Sequence, residues 1–470
     1  MKPVRLAGTA VAALCTTLPT LAQARPDDPL AAEQPAAAAN WSFDQWRPTV
    51  QSADGGFSLS IRARLQFDSA LPTRDSSSGA PSLASGAIAR RAYLGVEGRA
   101  FRELWYEYRM DFGVAAGNAD AIINLARIAY QYGDIADSSQ PHIRLNVGII
   151  QPLLTHEDGA SSNSILFLER ADSINIATTV FGGVKPKRGV ELTFQHENMI
   201  RPGDNFVVSG AVTGWEPRNS QPGSKEPIDR PAELLGRAAY RVWSDGISNL
   251  QFGGSAASLL THAGAITLQD RPEIRVDGHI LASTGAIQAR GGSLWGLDWE
   301  MNLRNFYLSG EYDRFMVQQD TACGAGVACP SGDPEFSGWN IAASWILTGE
   351  AKTYLPVAMN KNVATFENPI VNAPFLPGRG WGAWEIAARY SDLDLNWHQG
   401  VPGTLCQGGF IGCIRGGEEK IWTLGVNWYL NDNARMLFDY MIIGVDRLGP
   451  SGGQIGPALH AIGMRLQFTN

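Results

Sequence analysis

The chain has 470 residues, a formal charge of −8 and 44% hydrophobic residues, long enough for one large domain and too acidic for a nucleic-acid-binding role. Fifty-two glycines, with 14 Trp, 18 Phe and 12 Tyr, suit many strands joined by turns and flanked by interfacial aromatics. After Ala24 no stretch reaches the roughly 18 uninterrupted apolar residues that a spanning helix needs, so a membrane location demands a closed β-barrel.

At the N-terminus, Lys2 and Arg5 precede an apolar run at 6–14, and Ala22-Gln23-Ala24 forms a small-x-small cleavage site. Residues 1–24 therefore read as a secretory signal peptide, and its removal moves the formal charge to −10. Cys15 follows Leu14 rather than a small residue, so no lipid anchor is expected. Residues 25–55 are Ala- and Pro-rich without a sustained period and read as a mobile periplasmic lead; the barrel domain is expected at 56–470.

From Gly56 a period of two begins: Phe57, Leu59, Ile61, Ala63, Leu65 and Phe67 face one way, Ser58, Ser60, Arg62, Arg64, Gln66 and Asp68 the other. This is the apolar-out, polar-in strand of a barrel with a wet interior. Strands of this phase are predicted at 56–68, 87–98, 103–114, 122–132, 141–150, 187–197, 204–215 and 233–243. The second half supplies 247–260, 292–302, 304–316, 336–348, 379–391, 419–430, 433–444 and 457–468. Sixteen is an even number and large enough to enclose an aqueous channel. The last strand sets Ile462, Met464, Leu466 and Phe468 on one side, while Trp339, Trp345, Trp422 and Trp428 read as interfacial girdle residues. Short connections such as 431–433 are expected at the periplasmic end, and the long ones, 261–291, 349–378 and 392–418, outside the cell. A soluble β-sandwich shares the period of two but seldom needs sixteen strands in one domain.

The segment 151–186 is too long for a turn, and its economical task is to fold inward and narrow the lumen. It carries His156, Glu157, Asp158, Ser161, Ser162, Glu169 and Arg170, a mixture suited to a selectivity constriction. By strand phase, Arg62, Arg64, Arg91, Arg109, Arg127 and Arg144 of the first five strands point inward, as do Arg237 and Arg241 of the eighth. Strands ten and eleven supply Asp298, Glu300, Glu311 and Asp313 and no inward arginine, which implies a field across the pore. For any one arginine the alternative role is a cross-strand ion pair.

Four cysteines remain after the signal. Cys323 and Cys329 bracket one Gly-rich loop, Cys406 and Cys413 another; two local disulfides are the natural reading, though four cysteines allow three connectivities. No histidine stands beside either pair with ligand-like spacing, so neither a metal nor any cofactor is expected.

Across the chain, RRAYLGVEGRAF at 90–101, SSNSILFLERA at 161–171, RPEIRVDG at 271–278, GWNIAASWILTGE at 338–350, WEIAARYSDLDLN at 384–396 and WTLGVNWYLN at 422–431 resemble the phosphate-selective porin O and P family of Gram-negative outer membranes. The resemblance implies a homotrimer of sixteen-stranded barrels in outer-membrane lipid, each pore narrowed by its third extracellular loop and lined with arginines that guide small anions. It also implies that Arg90 and Arg91 are the family's paired arginines, Ser161 and Ser162 its phosphate-contacting loop serines, and Arg170 the arginine closing that motif. A departure stands at Asp158: the phosphate-selective members have lysine there, and with Glu157 it forms an anionic pair expected to repel phosphate. The expected function is passive diffusion of small solutes, anions such as phosphate with modest preference. A structural or adhesive barrel without a conducting pore is the alternative. An outer-membrane enzyme would need a nucleophile beside a base, and the seven histidines are scattered along the chain.

Overall fold

Alternating inner and outer side chains make strands at all sixteen predicted places. The computed structural model describes residues 39–470 except 45, 75–82, 114–121, 134–136, 138–139, 184–185, 215–231, 261–263, 321–331, 357–362, 401–412, 450 and 457. The strands are β1 Ser58–Arg74, β2 Gly86–Ala100, β3 Leu104–Asp111, β4 Ile122–Tyr132, β5 His142–Ile150, β6 Lys187–Glu197, β7 Asn205–Thr213 and β8 Glu233–Ser244. They continue as β9 Asn249–Leu259, β10 Ile287–Leu303, β11 Phe306–Gln319, β12 Glu335–Ile346, β13 Ala383–Trp397, β14 Ile414–Tyr429, β15 Ala434–Asp446 and β16 Ala458–Thr469. Each pairs antiparallel with the next, and β16 pairs with β1 through Arg465 opposite Asp68 and Gln467 opposite Gln66, which closes the barrel. Closure leaves no edge of unpaired backbone, the condition for lying in hydrocarbon.

The outward face is apolar: Leu297 is 60% exposed and Ile128 57%. Aromatic rings mark two levels on it. Trp339, Tyr390 and Trp422 form the upper group, with centroids 5.2 and 4.9 Å apart. Near the strand ends below, Trp384 stacks on Trp428 at 5.0 Å and Phe306 on Trp345 at 5.2 Å. β13 and β14 run beyond the predicted strands at their upper ends. There the outward residues Asp392 and Asp394 are polar, so the apolar stripe that marks a strand in sequence has ended while the hydrogen-bond ladder continues.

Three findings depart from the sequence reading. First, the long segment 347–382 leaves β12 at the end that carries the chain terminus and the short turns, hence the periplasmic end, and not outside the cell. Strand parity decides this, because every connection from an even to an odd strand lies at that end. Second, within the stretch read as a lead, Asn40–Asp44 and Arg47–Gln51 pair as a hairpin whose second strand joins β1 at Ser58 to Ser60. Residues 1–38, the predicted signal peptide among them, lie outside the described residues. Third, the interior is not wet throughout. Leu235, Leu268, Phe315, Leu393 and Leu395 form an inner apolar core with Ile176 and Phe181 of the third loop.

The turn between β6 and β7 illustrates how the periplasmic end is tied. Asp204 accepts from the N–H groups of Met199, Ile200 and Arg201 at 2.8, 3.0 and 3.1 Å and from the Tyr240 hydroxyl at 3.0 Å. Burial alone would raise this carboxyl, but the donors outweigh it and hold it below its ordinary value. Its contribution to stability is present above the unfolded-state pKa and fades as pH falls through the lowered one. Asp204→Ala removes the acceptor shared by three turn N–H groups and the Tyr240 hydroxyl and should destabilise the barrel by about 1 kcal/mol, seen as a lower temperature for the heat-modifiable gel shift.

Candidate functional site

The third extracellular loop, L3 (residues 151–186), enters the lumen and is built locally as two helices around a turn. Thr155 caps α1 (His156–Gly159) by accepting from the Asp158 N–H at 3.1 Å. A turn follows in which Ser164 N–H reaches Ser161 O at 2.7 Å. α2 (Asp172–Val180) then buries Ile174, Ile176 and Ala177 completely. The β-branched run in α2 argues for strand in isolation; burial of its apolar face overrides that preference. Arg170 fastens the two halves by donating to Glu157 O at 2.9 Å and Ala160 O at 3.2 Å.

Glycines on the inner wall let L3 lie close. A Cβ on Gly463 would stand 2.2 Å from Leu168 Cδ1, and one on Gly425 would stand 3.1 Å from the Phe167 ring. Leu168 N–H donates to Asp439 at 2.7 Å. Glu169, 1% exposed, is the centre of charge: Arg90 holds it through two bonds of 2.5 and 3.0 Å, with Arg465 at 3.4, Arg275 at 3.7 and Arg91 at 4.0 Å. Arg90 and Arg91 are neighbours in sequence, yet both face the lumen. A β-bulge makes this possible, since Gln66 pairs with Arg91 and Phe67 with Ala89, which leaves Arg90 unpaired. Strand phase alone assigns Arg90 to the outside.

From the periplasmic end the segment 347–382 also enters. Lys352–Leu355 and Thr365–Pro369 pair as a hairpin inside the lumen. The Tyr354 hydroxyl donates to Gln251 at 2.7 Å, Gln251 donates to Ala364 O at 2.8 Å, and Lys352 pairs with Glu385 at 3.1 Å. The hairpin meets L3 midway: Ser164 donates to Glu367, and Asn368 donates to Asn163 O at 3.1 Å. Together the two inserts fill the lumen on the side away from β1 to β5.

The space they leave is a cavity of about 520 Å³ against the wall of β1 to β5. Arg47, Arg62, Arg64, Arg91, Arg109, Arg127 and Arg170 line it, against Glu107 and Glu367 as the acids, with Ser161, Ser162, Asn163, Gln151, Tyr93, Leu125 and Leu355 completing it. Below it a second cavity of about 300 Å³ shares Arg47, Arg62, Glu107 and Arg127 and leads toward the periplasmic rim. Arg64 donates to Ser161 at 3.0 Å and to Ser162 at 2.5 Å, and among the described residues no carboxylate lies within ion-pair distance of it. The Tyr93 ring lies between Arg64 and Arg109, 5.3 and 4.8 Å from their guanidinium carbons. Glu107 offsets part of the charge, pairing with Arg127 at 2.8 Å and Arg109 at 3.4 Å.

The sequence-selected residues thus separate into groups. Arg62, Arg64, Arg91, Arg109, Arg127, Arg170, Ser161 and Ser162 meet at the cavity, whereas Arg90 engages Glu169 and Arg144 is buried on β5 away from it. Asp158 is 0% exposed, and Glu157 lies 3.5 Å from Arg389; neither lines the cavity. Arg47 and Glu367 escaped sequence reasoning. Both belong to inserted hairpins too short to show a period. Cys413 is disulfide-bonded, while Cys323, Cys329 and Cys406 lie outside the described residues.

The family model described as Phosphate-selective porin O and P matches residues 61–469, nearly the whole barrel. The chain belongs to that family. It is an outer-membrane porin, a channel of the bacterial outer membrane. Porin O of Pseudomonas aeruginosa is 21% identical to this porin over 418 residues, covering 86% of this chain and 87% of that one. Among solved structures it is similar to OmpT, an outer membrane protein of Vibrio cholerae, with a TM-score of 0.46 and 10% identity over 88% of this chain and 98% of that one. It is likewise similar to the outer membrane channel DcaP of Acinetobacter baumannii, with a TM-score of 0.46 and 10% identity over 89% and 99%.

Proposed function

We propose that this porin passes small anions along the arginine wall, phosphate among them, as a homotrimer whose apolar outer faces meet outer-membrane lipid. One observation carries the reading: seven arginines against two glutamates line the cavity between L3, the periplasmic hairpin and β1 to β5. In such a confined space the summed field concentrates anions and excludes cations. Arg64, Ser161 and Ser162 form the element best suited to meet an oxyanion, because a guanidinium and two hydroxyls can all donate to it. The alternative, a barrel without a conducting pore, predicts no ion current.

Planar-bilayer recordings of the purified protein under a KCl gradient test the proposal, with an anion-selective reversal potential expected. Arg64→Ala should lower the anion-to-cation permeability ratio roughly fivefold, the equivalent of about 1 kcal/mol for one charge acting through partly aqueous surroundings. Asp158→Asn should leave that ratio unchanged. A cation-selective wild type, or an Asp158→Asn protein more anion-selective than wild type, contradicts the assignment.

A further inference from the structure

A second charged cluster lies behind L3, away from the cavity. β10 and β11 turn Asp298, Glu300, Glu311 and Asp313 inward, and α1 of L3 sets His156 among them, all buried. Arg237 holds Asp298 through two bonds of 2.5 and 2.9 Å. His156 Nδ1 stands 2.5 Å from Glu311 Oε2, which turns Nε2 toward Glu300 Oε1 at 4.0 Å. Glu300 is 1% exposed, and among the described residues neither of its carboxylate oxygens has a hydrogen-bond partner. A cavity of about 30 Å³, large enough for a water-sized ligand, borders both His156 and Glu300.

The charges of this cluster do not balance. Four carboxyl groups face Arg237 and one imidazole, so with all four ionised two negative charges would remain even beside an imidazolium, and either protons or a bound cation must supply the balance. A divalent cation with neutral imidazole lowers the excess to one. The geometry fits such an ion: one ring nitrogen of His156 and one oxygen each of Asp298 and Glu300 lie within 4.8 Å of one another. Tetrahedral ligands with bonds of about 2.0–2.2 Å stand roughly 3.4 Å apart, so side-chain movements of about 1 Å bring the three atoms onto one ion and leave its fourth position for water. A carboxylate beyond the imidazole, on its other nitrogen, is the usual means of orienting a metal-bound histidine, and Glu311 occupies that position.

We propose that His156, Asp298 and Glu300 bind one divalent transition-metal ion of the zinc type, which fastens α1 of L3 to the barrel wall. Imidazole with two carboxylates favours such an ion over calcium, whose shell is built from oxygens alone. The proposal is independent of the anion path, since none of the three residues lines that cavity.

The test uses the full-length folded protein in detergent, stripped with EDTA and titrated with Zn²⁺ by calorimetry. One Zn²⁺ per chain should remain after gel filtration. His156→Gln and Glu300→Gln should each weaken binding at least tenfold without altering the heat-modifiable gel shift of the folded barrel. No retained Zn²⁺ in the wild type, or undiminished affinity in both variants, overturns the proposal. Should either variant fail to fold, X-ray absorption at the zinc edge of the wild type decides: imidazole scattering is expected, and a shell of oxygens alone overturns the site.

Discussion

Replacing the periplasmic hairpin, residues 352–369, by a short Gly-Ser linker should raise single-channel conductance severalfold and weaken anion selectivity. The hairpin fills the lumen from below and meets L3 through Ser164 with Glu367 and Asn163 with Asn368. Without it the path widens from a slot along the arginine wall toward the open width of a sixteen-stranded barrel, which holds a water-filled channel. Ions then travel farther from Arg62, Arg64 and Arg127, and at about 0.1 M salt a charge more than roughly 10 Å away is largely screened. The barrel itself should survive, because its sixteen strands pair with one another and none pairs with the hairpin. Bilayer recordings of the folded deletion protein provide the measurement. Conductance and reversal potential equal to wild type would mean that the hairpin does not border the ion path.

Glu169→Gln should release L3. The carboxylate lies among Arg90, Arg91, Arg275 and Arg465, which come from β2, from the loop between β9 and β10, and from β16. Asp68 and Asp270 remain to neutralise Arg465 and Arg275, but no other carboxylate is within ion-pair distance of Arg90 or Arg91 among the described residues. Breaking a buried pair of this kind costs about 3–5 kcal/mol, mostly the penalty of leaving charge buried without a partner. L3 is the part free to move in response. The expected results are a noisy channel with frequent large openings and new protease cleavage within 151–186. A quiet current with an intact loop would show that the helices and the glycine contacts hold L3 without this carboxylate.

Most of the barrel was legible because its rule is local: alternate residues face lipid or lumen, and each strand carries its own evidence. The inward arginines of β1 to β5 followed from the same rule. It failed at Arg90, where one bulged residue reverses the phase, and above the bilayer on β13 and β14, where water outside removes the apolar stripe. The placement of 347–382 was available from strand parity and was obscured by the expectation that long connections lie outside the cell. The contents of the lumen were least legible. Neither the contact between Ser164 and Glu367 nor the gathering of His156 with Asp298 and Glu300 has a sequence signature, because each joins segments far apart in the chain.

The seam between β1 and β16 bears on how the protein is assembled. Arg465 and Asp68 join across it at 2.6 Å, and Gln467 bonds Gln66 at 2.7 Å. The same side chains grip the constriction: Arg465 reaches Glu169, Gln66 donates to Ser162 O and Gln467 to Asn163 O, both at 3.0 Å. The seam where the first and last strands meet is therefore also part of the cradle of L3. Barrel closure and the position of the constriction thus draw on the same side chains, so a change that loosens the seam, such as Gln66→Ala, loosens the filter with it.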